Sequence, residues 1–541
     1  MNRIVQVSLI LSALLLVATD SSVTAQSGYT PVAQLCATTT NPNLCSVLPG
    51  NIGPDPSLGV FGYSGLLNRH PTRANDDVQT PFDNLSWQSF IALNWTAGQE
   101  SQPPQVGLQS QGARVWQTWT RAGTAFHAPN PNYCAQQFGG QPADFTFASD
   151  GQGNEIAQHE EILQAATGDP AIDVNGNWTI YERRLNDVEI AYLQKPNGNP
   201  AWDLTTLNGQ KAFIAASQTV NFPDYQTANA PTGAIEIKAA WRILDLKNNP
   251  ADAQRFFVMH GARIAVAPDL VNRQGAAAPI CAQVDLGLVA MHIIQKNVAQ
   301  QNLKAQWFWS TFEHVDNAPQ AAQPCDVTVP DQCTFGQESC EPPGIAGNQT
   351  NYSYFNTDVA MSPVNVAPVA SAGDKFFWSP QQPYAAGYLV PLSGKMVGTQ
   401  IARCWAIYET TASLNTSWQS ALKSVNSVFA NYMLVGTQWG TGYTADVTPK
   451  KSPTDAAPNM LANTLLETYI QTAYNPTDGF GTGSCISCHG VATFHKTNIA
   501  TDLSFLPNLA SVNLLRRAPL GQPAKPHLAP KGHLPKKGSG H

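Results

Sequence analysis

Residues 485 to 489 read Cys-Ile-Ser-Cys-His, two thiols three positions apart with an imidazole on the next residue. That spacing lets Cys485 and Cys488 reach the two vinyl groups on one edge of a haem as thioethers, while His489 turns its ring onto the iron as the proximal ligand. The chemistry implied is one covalent haem c. A zinc reading competes, because Cys485, Cys488, His489 and His495 offer four nitrogen and sulfur ligands. Zinc pairs usually sit further apart in sequence, and a histidine directly after the second cysteine suits haem better. A plain disulfide between Cys485 and Cys488 is the third reading.

Small electron-carrying cytochromes place this motif near the start of a domain of roughly 100 residues and use a downstream methionine as the second axial ligand. Here the last methionine is Met460, and about 50 residues follow His489. The far side of the iron must therefore be completed by earlier chain or left open. His495 would face away from the same iron on a continuing helix. Met460 reads first as core packing. His260 and His292 stand in apolar runs and read as hydrogen-bonded core histidines. His314, beside Glu313 and Asp316, could be oriented for ligation or proton transfer. An open sixth site would admit peroxide, oxygen or another small ligand.

Covalent haem attachment belongs outside the bacterial cytoplasm, and the N-terminus agrees. Arg3 supplies a positive start, Ile4 to Ala18 form an apolar core, and Val23-Thr24-Ala25 is a small-residue cleavage site before Gln26. Residues 1–25 are expected to be a signal peptide, placing the mature chain in the periplasm, at the cell surface or outside the cell. No later stretch reaches the roughly 18 apolar residues of a membrane span, so a soluble protein is expected. With Cys485 and Cys488 assigned to haem, eight of the ten cysteines remain, an even number suited to disulfides in an oxidising compartment. Cys36 with Cys45, and the cluster Cys325, Cys333 and Cys340, are the expected local staples, although eight cysteines allow 105 connectivities.

The elements that must position the motif come from the rest of the 541 residues. Hydrophobic residues make up 43% of the chain, with 13 tryptophans, enough for one large or two closely packed cores. Asp83 or Asn84 is expected to cap a helix bearing Trp87, Phe90, Ile91 and Trp95. Ile235 to Ile243 alternates, with Ile235, Ile237, Ala239, Trp241 and Ile243 on one face and Glu236, Lys238 and Arg242 on the other. Phe256 to Val266 and Val284 to Ile294 read as central strands covered on both sides. Thr416 or Ser417 is expected to cap a helix with the stripe Trp418, Leu422, Val425, Phe429 and Tyr432. A further helix over about 459–473 is expected to lead to the haem motif. Strands and helices without regular alternation imply an α+β fold. The expected organisation is a body over residues 26–455, a haem-binding segment over 456–510 and a tail over 511–541.

The formal charge of −7 conceals a division. From Ser511 onward there are six basic residues and no acid, which leaves about −13 on the rest. An acidic body argues against nucleic-acid binding. The tail, rich in Pro, Gly and Lys and carrying His527, His533 and His541, lacks a hydrophobic period and is expected to be disordered, with a contact to an anionic surface as its functional reading. No glycine-rich phosphate loop, GxSxG or HExxH occurs, so nucleotide-binding and hydrolase readings lose support.

Three segments, Asp83 to Trp95 (DNLSWQSFIALNW), Trp309 to Asn317 (WSTFEHVDN) and Cys485 to His489 (CISCH), together resemble a group of large exported bacterial cytochrome c family proteins. The resemblance implies haem roles for Cys485, Cys488 and His489 and no particular reaction. Two functions of different class follow. One is electron transfer with a redox partner protein. The other is a haem oxidoreductase, since some 400 residues beyond a carrier's needs call for a substrate or partner to bind. Glu236, Lys238 and Arg242, or Glu182, Arg183 and Arg184, could line a polar pocket for that small molecule, although charged strand faces are more often solvated. A surface binding or scaffold protein carrying a structural haem is a third alternative.

Overall fold

The computed structural model describes residues 43–50 and 79–510, except 110, 130, 151–154, 157–158, 165–167, 272–277, 298–304, 326–339, 341–351, 360–362, 371–374, 441–455, 459, 472–473, 476–479 and 482. The expected signal peptide and basic tail lie outside the described residues. The fold is α+β, built on one nine-stranded sheet. Its strands are β1 (Thr120–Arg121), β2 (Phe145–Phe147), β3 (Ile180–Leu185), β4 (Ile235–Leu244), β5 (Val258–Val266), β6 (Ile280–Asn297), β7 (Gln306–His314), β10 (Tyr432–Gly440) and β11 (Ala456–Ala457). A separate parallel pair joins β8 (Gln320–Cys325) to β9 (Arg403–Trp405).

The 18-residue β6 is the spine. It pairs along one edge with β4, and along the other with β5 and β7 placed end to end, all antiparallel. The order continues outward through β3 and β1 on one side and through β10 and β11 on the other, and β2 lies parallel on β5. Alternation then sorts the side chains. Ile235, Ile237, Trp241, Met291, Ile293, Phe312 and Leu434 share one apolar core with Trp87 and Phe90 of α1 (Thr80–Leu93) and Trp418 and Leu422 of α4 (Glu409–Ser424). Phe90 stacks on Phe312 with ring centres 4.2 Å apart. Two shorter helices, α2 (Asp187–Gln194) and α3 (Leu207–Ala215), flank the opposite side, and α5 (Cys485–His489) carries the motif.

The alternation expected for Ile235 to Ile243 is present, but its polar face is covered as well: Lys238 and Arg242 are buried. Several expected element boundaries differ. α1 begins at Thr80, a turn before Asp83, with proline in its first turn and no side-chain cap; Asp83 instead accepts from Gln79 and from the hydroxyls of Thr411 and Thr437. Thr416 and Ser417 lie inside α4, bonding back to the carbonyls of Ala412 and Ser413. That helix ends at Ser424, so Phe429 falls in a 3-10 turn and Tyr432 on β10. The helix expected over 459–473 is replaced by turns and one 3-10 turn, Thr468–Ile470, because its polar side chains bind the sheet instead. β5 is exposed at His260, whose side chain is 60% accessible.

Of the expected local staples, the cluster Cys325, Cys333 and Cys340 is corrected at Cys340, which pairs outside it. Cys134 joins Cys281, and Cys340 joins Cys404 on β9, 64 residues later in the chain. Cys45 and Cys325 are disulfide-bonded too, while Cys36 and Cys333 lie outside the described residues.

A buried ion pair pins the segment that precedes the Cys-Ile-Ser-Cys-His motif to the sheet. Glu313 on β7, fully buried, accepts from Arg403 at 2.7 Å and from both the backbone and the hydroxyl of Thr464, at 2.6 and 2.7 Å. Removing one partner of such a pair strands a charge away from water. Arg403→Leu is expected to cost about 3–5 kcal/mol, read as a lower midpoint in urea unfolding with the slope unchanged.

Candidate haem site

The second face of the sheet carries three parallel rows. Tyr181, Ala240, Ala290 and Glu313 form the first; Arg183, Lys238, His292 and Thr311 the second; Leu185, Glu236, Ile294, Trp309 and Gln438 the third. Leu465 and Leu466 close over the first row in one apolar cluster, and Ile486, Phe494 and Leu503 pack against the third in another. The charged second row is the seam between these clusters. Into it come Glu467, Cys485, Cys488 and His489, each close enough to the others or to Lys238 and His292 for their charges to interact.

Local bonds build the motif. Ser484 precedes α5, its hydroxyl accepting from Ser487 N and donating to Gln438 Oε1 at 3.3 Å. Gln438 Oε1 also accepts from Ile486 N at 2.9 Å, so a β10 side chain holds the first turn of the helix. Just upstream, Gly483 packs closely: a Cβ there would stand 2.6 Å from Met460 Cε, and the methionine end would have to shift. One helical turn separates Cys485 from Cys488. They are the only free cysteines among the described residues.

His489 is oriented from behind. Its Nδ1–H donates to the carbonyl of Leu503 at 2.6 Å, which fixes the tautomer and leaves the Nε2 lone pair free. Asp502 and Leu503 both adopt positive φ, 51° and 66°, an uncommon conformation for these residues that turns the carbonyl toward the ring. The turn is held by Asp502, which takes Lys296 Nζ at 2.9 and 2.8 Å and Phe222 N at 2.8 Å. Trp307 Nε1 donates to the Asp502 carbonyl. Phe505 and Trp309 flank the imidazole, with ring centres 5.2 and 5.9 Å away.

Burial dominates the electrostatics. It pulls His489 down to about 4, pushes Cys488 up to about 11 and raises Cys485 well above an ordinary thiol. At neutral pH the imidazole is therefore uncharged, the form that binds iron, and both thiols keep their protons. Against burial, which works the other way, His292 and Lys238 hold the Glu467 carboxyl below its ordinary value. Glu189 on α2 is fully buried with neither oxygen hydrogen-bonded; burial, then the Glu236 charge, drives it well above the carboxylate range.

These residues fit a haem c. A free thiol pair one turn apart and an imidazole oriented through Nδ1 stand beside two buried nitrogens without hydrogen bonds on the adjoining sheet face, Trp309 Nε1 and His292 Nε2, which a bound group could engage. Among the described residues no three His, Cys, Asp or Glu side chains gather closely enough to hold a metal ion as they stand. No helix among them is long and apolar enough to cross a membrane.

The other candidates separate. His314 is fully buried on the helical face, bonded to the Arg255 carbonyl and Asp316 N, and burial lowers it to about 4. His260 pairs with Asp285 at the surface. Met460 packs with Trp405 and Cys404 in a different cluster. His495 lies beyond the end of α5, which stops at His489, so the expectation of a continuing helix is corrected; its Nε2 is buried without a partner. Of the charged strand residues, Glu182 and Arg184 pair with each other on the helical face and Arg242 binds Asp173, so only Arg183, Lys238 and Glu236 face the motif. Glu467, Gln438, Asp502 and Leu503 carry no local sequence signal, and a motif search passes over them.

No family model, curated protein or solved structure matches this chain. The resemblance to exported cytochromes rests on its three segments, of which α1 packs on the far face of the sheet while Trp309 and Thr311 stand beside the motif.

The Lys296–Asp502 pair is 2% exposed on each side. Asp502→Ala is expected to free the turn behind His489, and amides of residues 485–510 should exchange with deuterium about a hundredfold faster or more while those of β6 and β7 keep their protection.

Proposed function

We propose that this chain is an exported monohaem c-type cytochrome that transfers electrons, its large body serving to bind a redox partner protein or the substrate of an oxidoreductase. The observation that carries the reading is the pair Cys485 and Cys488, free on one helical turn where the other described cysteines are all in disulfides, followed at once by an imidazole whose Nδ1 is already engaged. The covalent haem supplies a one-electron couple at iron. Cys485 and Cys488 would hold its edge as thioethers, and His489 would ligate the iron through Nε2. The Leu503 carbonyl fixes that ring, and Ile486, Phe494 and Leu503 exclude water from its buried side. Periplasmic, surface or secreted location follows from covalent attachment and from the N-terminal leader.

The partial exposure of Cys485, Cys488 and His489 favours electron transfer over a purely structural haem, because a surface-near edge is what a partner needs. In the test, the mature chain purified from a host that attaches haem c should exceed its polypeptide mass by one haem and show a reversible change in visible absorption on reduction. The Cys485→Ala, Cys488→Ala variant should lose both. A wild-type chain at bare polypeptide mass would overturn the reading.

A further inference from the structure

We propose that His292 on β6 is the second axial ligand of the iron, opposite His489. The assignment rests on the haem reading and extends it to the far side of the metal.

His292 lies in the charged seam, between Lys238 on β4 and Thr311 on β7, on the sheet face toward which the motif packs. It is 7% exposed, and its Nε2 has no hydrogen-bond partner. The nearest acceptor, Glu467 Oε2, is 3.4 Å away and poorly aligned, while that oxygen already accepts from Asn463 N at 2.8 Å. A ring nitrogen buried there without a hydrogen bond loses hydration, which a bond to iron would offset. The side also matters. Residues 490–510 wrap the back of His489, with the Leu503 carbonyl on Nδ1 and Phe505 beside the ring. His495 lies in that same wall, six residues beyond His489. The second ligand must come from the body, and His292 is the histidine on the sheet face that carries Trp309, whose ring centre lies 5.9 Å from that of His489. Met460, His314 and His260 are committed elsewhere. Glu467 then lies next to the His292 ring as a neighbouring carboxylate that tunes the iron.

The unmodified ferric protein answers first. Near-infrared magnetic circular dichroism and electron paramagnetic resonance should give a low-spin centre with two nitrogen ligands; a high-spin centre or a methionine–histidine signature overturns the assignment. His292→Ala should turn high-spin, regain the low-spin spectrum when imidazole is added, and keep its covalent haem by mass. His495→Ala should keep the wild-type spectrum. Loss of the low-spin form in His495→Ala with retention in His292→Ala places the ligand on the wrong residue and overturns the proposal. Haem lost from the wild-type chain itself would mark failure of the haem reading, separately from the choice of ligand.

Discussion

A row of ionisable side chains, Arg183, Lys238 and His292, runs across the covered face of the central sheet, and the rest of the molecule is arranged around the cost of keeping it there. A buried ion loses several kcal/mol of hydration after relaxation, so Arg183 and Lys238 persist in the row only if opposite charge is brought to it. Glu161 comes within 3.6 Å of Arg183, and Glu467 within 3.4 Å of His292. Glu467 belongs to the chain that crosses the sheet just before the Cys-Ile-Ser-Cys-His motif. The same requirement that neutralises the row therefore delivers the motif to the sheet. The apolar clusters on either side, around Leu465 and around Ile486 and Trp309, seal the seam and set its width.

This arrangement explains how so short a helix can be held in a fixed geometry. α5 has five residues, far too few to be stable alone. Its geometry is imposed from outside by Gln438 at its start, by Leu503 behind His489 and by the Lys296–Asp502 pair beneath that turn. A small cytochrome domain supplies such support from its own helices. Here a twisted antiparallel sheet supplies it, which accounts for part of the chain's size.

What was legible in the sequence was whatever depends on local spacing. The motif, and the alternation of Ile235 through Ile243, are of that kind, and the mixture of elements sufficed for an α+β fold. The misplaced helices fail for a shared reason: their polar residues act at a distance. Asp83 was legible as a cap, yet its carboxylate serves Thr411 and Thr437. Asn463 and Thr464 look like ordinary helix residues, but they bond to Thr311, Phe312 and Glu313 on β7. Lys238 reads as a solvated charge because nothing near it in sequence announces Glu467. Cys340 pairs with Cys404 across 64 residues, a connection that no local spacing rule contains.

The account stands on one spatial claim, that the iron lies in the seam over the second row of the sheet. Anomalous scattering at the iron absorption edge from crystals of the mature protein locates that atom without assuming any other feature of the fold. The expected result is a single iron peak bonded to His489 Nε2 and lying above Lys238, His292 and Thr311. A peak on the outer side of α5, away from the sheet, or no iron at all, would contradict it.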